Sequence, residues 1–403
     1  MGKQDEADFE DDDHGPEEEA GLTIADADKI AADLLALLER AKTTKPEKLA
    51  DELQDLAHEI QRADTQEVAV YLQEKVLPVL LQAYDEIALK AKKETDLVLF
   101  IQKMFAWLEF KPGLDRLPEL YRNPAFKDGY LWTVVFGSMS HGPHPHAADV
   151  ARALSGHFPA GFAAVAYLDF ANELAHHNVI TEHPFDNPEG VKLLRKWLTK
   201  ARDGEESYGV SSAMALAFSN QPDRDELLKV ARDHSSPSVQ IEAAWAEAHL
   251  GRENGFKYLV AKCTDWSFSA QAAAYLKMLG REDLIPAEAL TEESQAIGHM
   301  VSWLCHPAEY GQPPADIELL ESRTIYWPPT EDTRTLHVLR FCMEEGTEKK
   351  DYDYGLVGSR TFSLFGDYGD VNGPDDVLAL HCSWEMDGEA DLEKGRELLG
   401  RAG

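Results

Sequence analysis

Val239-Gln-Ile-Glu-Ala-Ala-Trp-Ala-Glu-Ala-His-Leu-Gly-Arg-Glu253 and Phe268-Ser-Ala-Gln-Ala-Ala-Ala-Tyr-Leu-Lys-Met-Leu-Gly-Arg-Glu282 are two versions of one phrase. Their glycines, Gly251 and Gly280, lie 29 residues apart. At that offset Ala243 meets Ala272, Ala244 meets Ala273, and Leu-Gly-Arg-Glu meets itself. Trp245 opposite Ala274 and Ala246 opposite Tyr275 exchange bulk between adjacent positions. An amphipathic run precedes each alanine-rich one: DELLKVARDHSS before the first, GFKYLVAKCTD before the second. One helix pair of this kind cannot bury its apolar face alone, so pairs stack side by side. Small residues let neighbouring helices approach closely, which places Ala244 and Ala273 against them. Glycine after the last turn supplies a left-handed cap.

The run Asp233-x-x-x-Pro237-x-Val239-x-x-x-Ala243-Ala244, closing on Leu250-Gly251, resembles the HEAT-like repeats of bacterial α-solenoids. Residues 222–282 carry two such repeats, 147–220 a looser version, and 22–140 read as helical hairpins. Members of the family often carry Arg after the Val; here Gln240 and Ser269 stand there. The resemblance implies a mainly α fold, a HEAT-like α-solenoid of stacked helix pairs. Its expected parts are a disordered acidic tail (1–21), N-terminal helical hairpins (22–140), HEAT-like repeats (141–322) and a small C-terminal α+β cap (323–403).

Outside the repeats, Thr23-Ile-Ala-Asp26 predicts a capped helix start, and Pro78 a kink or restart. Helices are expected around 97–110 and 130–139, with KPGLDRLPELYRNPAFKDG as a loop between them. After residue 285 the period changes. A helix over 292–305 leads into prolines, and a short helix is expected near 315–322. Thr333–Met343 alternates like a strand, with Leu336 and Val338 on one face and Leu339, Phe341 and Met343 mostly on the other. Tyr352–Phe365 reads as a second strand, 345–350 as the turn between them, and Gly373-Pro374 opens a last helix. Apolar residues on both faces suggest a sheet covered on both sides.

The 403 residues contain 73 Asp+Glu against 39 Lys+Arg, a formal net charge of −34. Such a surface repels phosphate backbones and anionic lipid, so nucleic-acid and membrane partners are not expected. The first 21 residues hold ten acids and Lys3 alone as a cation, which leaves −25 on the rest. That remainder suits a basic protein partner. Cys263, Cys305, Cys342 and Cys382 form no C-x-x-C pair, and 1–21 has no apolar secretory core. A cytoplasmic protein is the expectation.

Three imidazoles, His141, His144 and His146, form the candidate metal site. The prolines between them hold the segment extended, so a closed site needs a turn or another loop. His176-His177 with His183 is a second histidine group. Trp303, Tyr310, Tyr326, Trp327 and Trp384, with four nearby prolines, form the candidate partner-binding groove. Enzymes built on HEAT-like repeats set the competing expectations. A deoxyhypusine-hydroxylase-like site needs several His-Glu dipeptides, and His58-Glu59 stands by itself. HEAT-like DNA glycosylases need a basic groove. A phycobilin-lyase-like or hydrolase-type accessory enzyme would use the His141–His146 loop. No Walker A, G-x-S-x-G or H-E-x-x-H motif occurs. The expectation is therefore a non-catalytic interaction scaffold or adaptor without a cofactor. A structural subunit of a larger assembly is the other alternative.

Overall fold

The computed structural model describes residues 21–91, 95–140, 142–159, 161–200, 206–306, 309–343, 352–364, 371 and 373–401. The acidic tail through residue 20, His141 and the expected turn at 345–350 lie outside them. Two compact units are present, one within 19–255 and the other within 256–403.

The first unit is helical throughout: α1 (Ile24–Ala41), α2 (Ala50–Ile60), α3 (Gln66–Tyr71), α4 (Leu77–Glu86), α5 (Thr95–Trp107), α6 (Lys111–Leu114), α7 (Leu117–Arg122), α8 (Trp132–Ser140), α9 (Ala147–Leu154), α10 (Phe162–His176), α11 (Pro188–Lys200), α12 (Glu206–Ala215), α13 (Arg224–Arg232) and α14 (Pro237–His249). Thr23 caps α1 as expected: its Oγ1 accepts from the Asp26 N–H at 3.2 Å, while the Thr23 N–H donates to Asp26 Oδ2 at 3.1 Å. Pro78 lacks an N–H, and one π turn (Leu72–Val76) absorbs the mismatch before α4 starts. The segment expected as a loop at 111–129 is instead partly helical. Pro112, Pro118 and Pro124 each open a short helical turn, because a fixed φ suits the first position.

Packing follows chain order. α5 lies on α8, α8 on α10, α10 on α12, and α12 on α14. A second set joins at their flank, with α7 on α9 and α11 on α13. The alanine-rich helices are the enclosed ones. In α14 every residue from Ile241 to Ala248 is buried, Trp245 completely. Gly251 then takes φ 74°. The Arg252 N–H reaches back to the Glu247 carbonyl at 2.9 Å, closing the helix with a Schellman turn. Gly255 follows in a tight place: a Cβ there would sit 2.4 Å from the Ala244 carbonyl oxygen and the Ala248 nitrogen.

The second unit holds most of α15 (Glu253–Lys262), then α16 (Ser269–Met278) and α17 (Glu292–Leu304). Gly280 repeats the turn of Gly251, with φ 66° and the Arg281 N–H on the Leu276 carbonyl at 2.8 Å. A four-stranded antiparallel sheet follows in the order β1 (Asp316–Trp327), β2 (Asp332–Cys342), β3 (Asp353–Val357) and β4 (Thr361–Ser363). The helices α18 (Pro374–Asp387) and α19 (Leu392–Arg401) end the chain's described part. Leu336, Val338 and Leu356 pack with Val377 and Leu378 of α18. Leu339, Phe341 and Val357 pack with Met300 and Leu304 of α17. Both faces of the sheet are thus covered.

Two strand expectations change. The short helix near 315–322 is the first half of β1. Its helix-compatible residues are overruled by an eleven-pair ladder to β2, from Asp316↔Cys342 to Trp327↔Asp332. The described part of the expected second strand, 352–364, is a hairpin rather than one strand, turning over 358–360. The expected boundary at 322/323 falls inside β1.

The repeat register needs one correction. Ala244 is buried, but in the second phrase Ala272 is buried while Ala273 is half-exposed and lines an open groove with Gly298 and Ser302. Replacing Ala244 or Ala272 with Phe is expected to cost about 1–3 kcal/mol by overpacking. Ala273→Phe is expected to leave the melting temperature nearly unchanged. Thermal melts of the three variants check the order.

Candidate functional site

α10, α12 and α14 are packed in succession, and each leaves little open. Between Ala163 and Leu174, only Asp169 and Glu173 of α10 are not buried. One turn on, His176 and His177 extend the same stripe. Along the described side chains of α12 the positions that are not buried are Ser207, Tyr208, Val210 and Met214, and half-buried Phe218 follows beyond its end. The stripe on α14 ends at the exposed His249.

Long-range contacts join these stripes. The Trp245 ring centroid lies 5.7 Å from His176, 6.0 Å from Phe218 and 5.2 Å from His249. His249 stands edge-on to Phe218 at 5.4 Å. His183 stacks on the opposite side of this group, 5.8 Å from Phe218 and 12° from parallel. Asn172 connects the helices below them. It accepts from His183 Nε2–H at 3.1 Å and donates to the Ser211 carbonyl at 3.0 Å.

The electrostatics of this face follow from partial dehydration. Asp169 is open to solvent, yet the surrounding protein displaces enough water to push its carboxyl up to about 6, against the opposing hydrogen bond from Ser211. Burial lowers His176 and His249, and each neighbouring imidazole lowers them further. Buried His183 is pushed down to about 4. Lowered in this way, His176 and His249 favour the neutral imidazole, so the acids of α10 set the charge of this face. His177 Nε2 meets Glu173 Oε1 at 2.9 Å on the outer edge.

The sequence motifs distribute differently. His144 Nε2 contacts the Ala106 carbonyl at 3.0 Å, and its Nδ1 accepts from the His146 N–H at 3.2 Å. Nε2 thus ties the 142–146 loop to the end of α5 while Nδ1 closes the loop on itself, and metal binding by this ring would have to break one of these bonds. His141 lies outside the described residues.

The five aromatic residues do not form one groove. Trp303 donates to Ser363 Oγ at 3.1 Å, and Tyr310 packs on Phe341 at 5.9 Å, both on the α17 side of the sheet. Trp327 is fully buried in the core on the α18 side. Trp384 packs there too, 4.9 Å from Phe362, and carries the Arg360 guanidinium at 5.9 Å. Tyr326 is exposed at the end of β1. Trp327 was expected at a surface; an indole in the first half of the hairpin closes the core instead.

His249 and Asp169 escaped sequence reading because their partners lie far along the chain. The one available hint was the spacing of Asp169, Glu173 and His176 on a helix that is otherwise apolar. No protein-family model, no curated protein and no solved structure matches this chain. Among the described residues, no helix is long and apolar enough to cross a membrane.

Proposed function

We propose that the protein is a non-catalytic interaction scaffold of HEAT-like helix pairs, acting in the cytoplasm and presenting the α10–α12–α14 face to a basic protein partner. The ordered succession of alanine-rich helices supports the solenoid reading, as do the matching Gly251 and Gly280 caps. The observation that carries the partner reading is which side chains α10 leaves open: between Ala163 and Leu174 they are the acids Asp169 and Glu173 alone. Its neighbour α12, whose Ser211 bonds to Asp169, leaves the apolar Val210 and Met214 half-buried, as is Phe218 beyond its end. A cationic segment with apolar residues satisfies both kinds of group, and partial dehydration strengthens its ion pairs.

Isothermal titration with a synthetic Lys/Leu-rich helical peptide tests this reading. Asp169→Lys together with Glu173→Lys is expected to weaken binding about tenfold or more, and Met214→Ala by a smaller factor. Wild-type binding is also expected to fade between pH 7 and 5. Asp169 titrates near 6, and its neutral form below that pH no longer attracts a cation. Affinity indifferent to both the charge reversal and the pH would refute the assignment.

A further inference from the structure

We propose that the groove between the α9–α10 connection and α11 is a docking site for an acidic, extended peptide segment of a partner protein. The site is separate from the α10 acids, and the inference goes beyond the function proposed above.

The first observation is an inversion of charge. The chain has almost two acids per base, yet α11, Pro188-Glu-Gly-Val-Lys-Leu-Leu-Arg-Lys-Trp-Leu-Thr-Lys200, carries four bases and Glu189 as its one acid. The second is what those bases do. Arg195 is spent on the protein itself, donating to Asp223 at 2.9 Å and to Glu226 at 2.7 Å. Lys192 and Lys196 are exposed, one turn apart, and neither forms an ion pair with a described residue. Like charges at that spacing repel. In a chain this acidic, many surface lysines find carboxylates: Lys42, Lys90, Lys111, Lys262 and Lys394 all do.

The third observation is shape. Lys192 and Lys196 border a cavity of about 670 Å³, with His157 on the opposite rim. Its apolar side is made by Phe158 and Leu193, both half-buried. Phe158 is held in place against Phe185 at a centroid distance of 4.5 Å. The volume suits a few residues of extended chain better than a single small anion. Two ammonium groups along the helix match alternate carboxylates on one edge of such a segment, since those side chains recur at every second residue. The Phe158–Leu193 floor takes an apolar side chain from between them. A nucleic acid offers the same negative charge, but it brings a continuous line of phosphates toward a body of strongly negative charge.

The test is fluorescence anisotropy of a labelled synthetic peptide, Asp/Glu-rich with one central Phe, titrated with the full chain at low salt. Saturable binding is expected. It should weaken at least about tenfold with Lys192→Glu plus Lys196→Glu, and again on raising salt to about 0.5 M, where charges are screened within a few ångströms. A peptide with Ser in place of Phe should bind several-fold more weakly. Both lysines are exposed, so the charge-reversed chain should keep the wild-type circular-dichroism melt. If it does not, Lys192→Gln plus Lys196→Gln serves with the same expected direction. Absence of saturable binding, equal affinity for wild type and variants, or tighter binding of an oligouridine than of the peptide would each overturn the proposal.

Discussion

Trp245→Ala is expected to lower the stability of the helical unit by about 3–5 kcal/mol, the range for removing a large buried aromatic side chain. Trp245 is fully enclosed, and its ring touches His176, Phe218 and His249, which come from three separate segments. Removing it leaves a cavity where α10, α12 and α14 meet. The neighbours cannot collapse into it without shifting α10, which carries Asp169 and Glu173. Urea unfolding monitored by far-ultraviolet circular dichroism reads the loss directly. A loss below about 1 kcal/mol would mean that the ring fills no essential space. Trp245→Phe retains most of the packing and should cost clearly less.

The second large effect is expected inside the sheet unit. Glu385 lies at the centre of a buried polar group. Its side chain is 4% exposed and accepts from Trp327 Nε1–H at 2.5 Å, Ser359 Oγ–H at 2.6 Å and His381 Nε2 at 3.2 Å. Burial alone would raise this carboxyl, but the bonds from His381, Ser359 and Trp327 outweigh it and hold it at about 2. Glu385→Ala strands three donors, two of them on fully buried side chains, and is expected to cost about 3–5 kcal/mol. The sign of the pH dependence follows from the depressed value. The ionised form is favoured in the folded state, so its contribution is complete above the unfolded value of 4.5 and is lost as pH falls toward about 2. The stability difference between wild type and Glu385→Gln should therefore narrow across that window. A difference that stays constant from pH 5 to 2 would contradict the arrangement.

What the sequence made legible was local chemistry. Gly251 and Gly280 could be read as left-handed caps because the constraint lies within one turn of helix. The two faces of β2 could be read from alternation alone, since Leu336 and Val338 do pack opposite to Leu339 and Phe341. The failures share a different cause. β1 looked partly helical because its alternation gains meaning only beside β2, whose pairing with it spans Asp316 to Cys342. The choice of Ala273 over Ala272 was a one-residue error of helix phase, and sequence offset alone does not fix that phase. The five aromatic residues looked like one group because they are near in sequence, whereas a sheet separates them in space. The surroundings of the α10 acids were invisible for the opposite reason. Asp169 and Ser211 are joined by a hydrogen bond across 42 positions, and His176 meets His249 across 73. Net charge pointed to a basic partner without indicating which helices would receive it.

On the proposed reading, a cationic partner docks on the α10–α12–α14 face. Hydrogen–deuterium exchange of the full chain, with and without the Lys/Leu-rich helical peptide, locates the docked surface. Slowed exchange is expected only in peptides covering 169–177, 207–218 and 245–250, with no such slowing in the Asp169→Lys, Glu173→Lys chain. Protection elsewhere with these segments unchanged would contradict it.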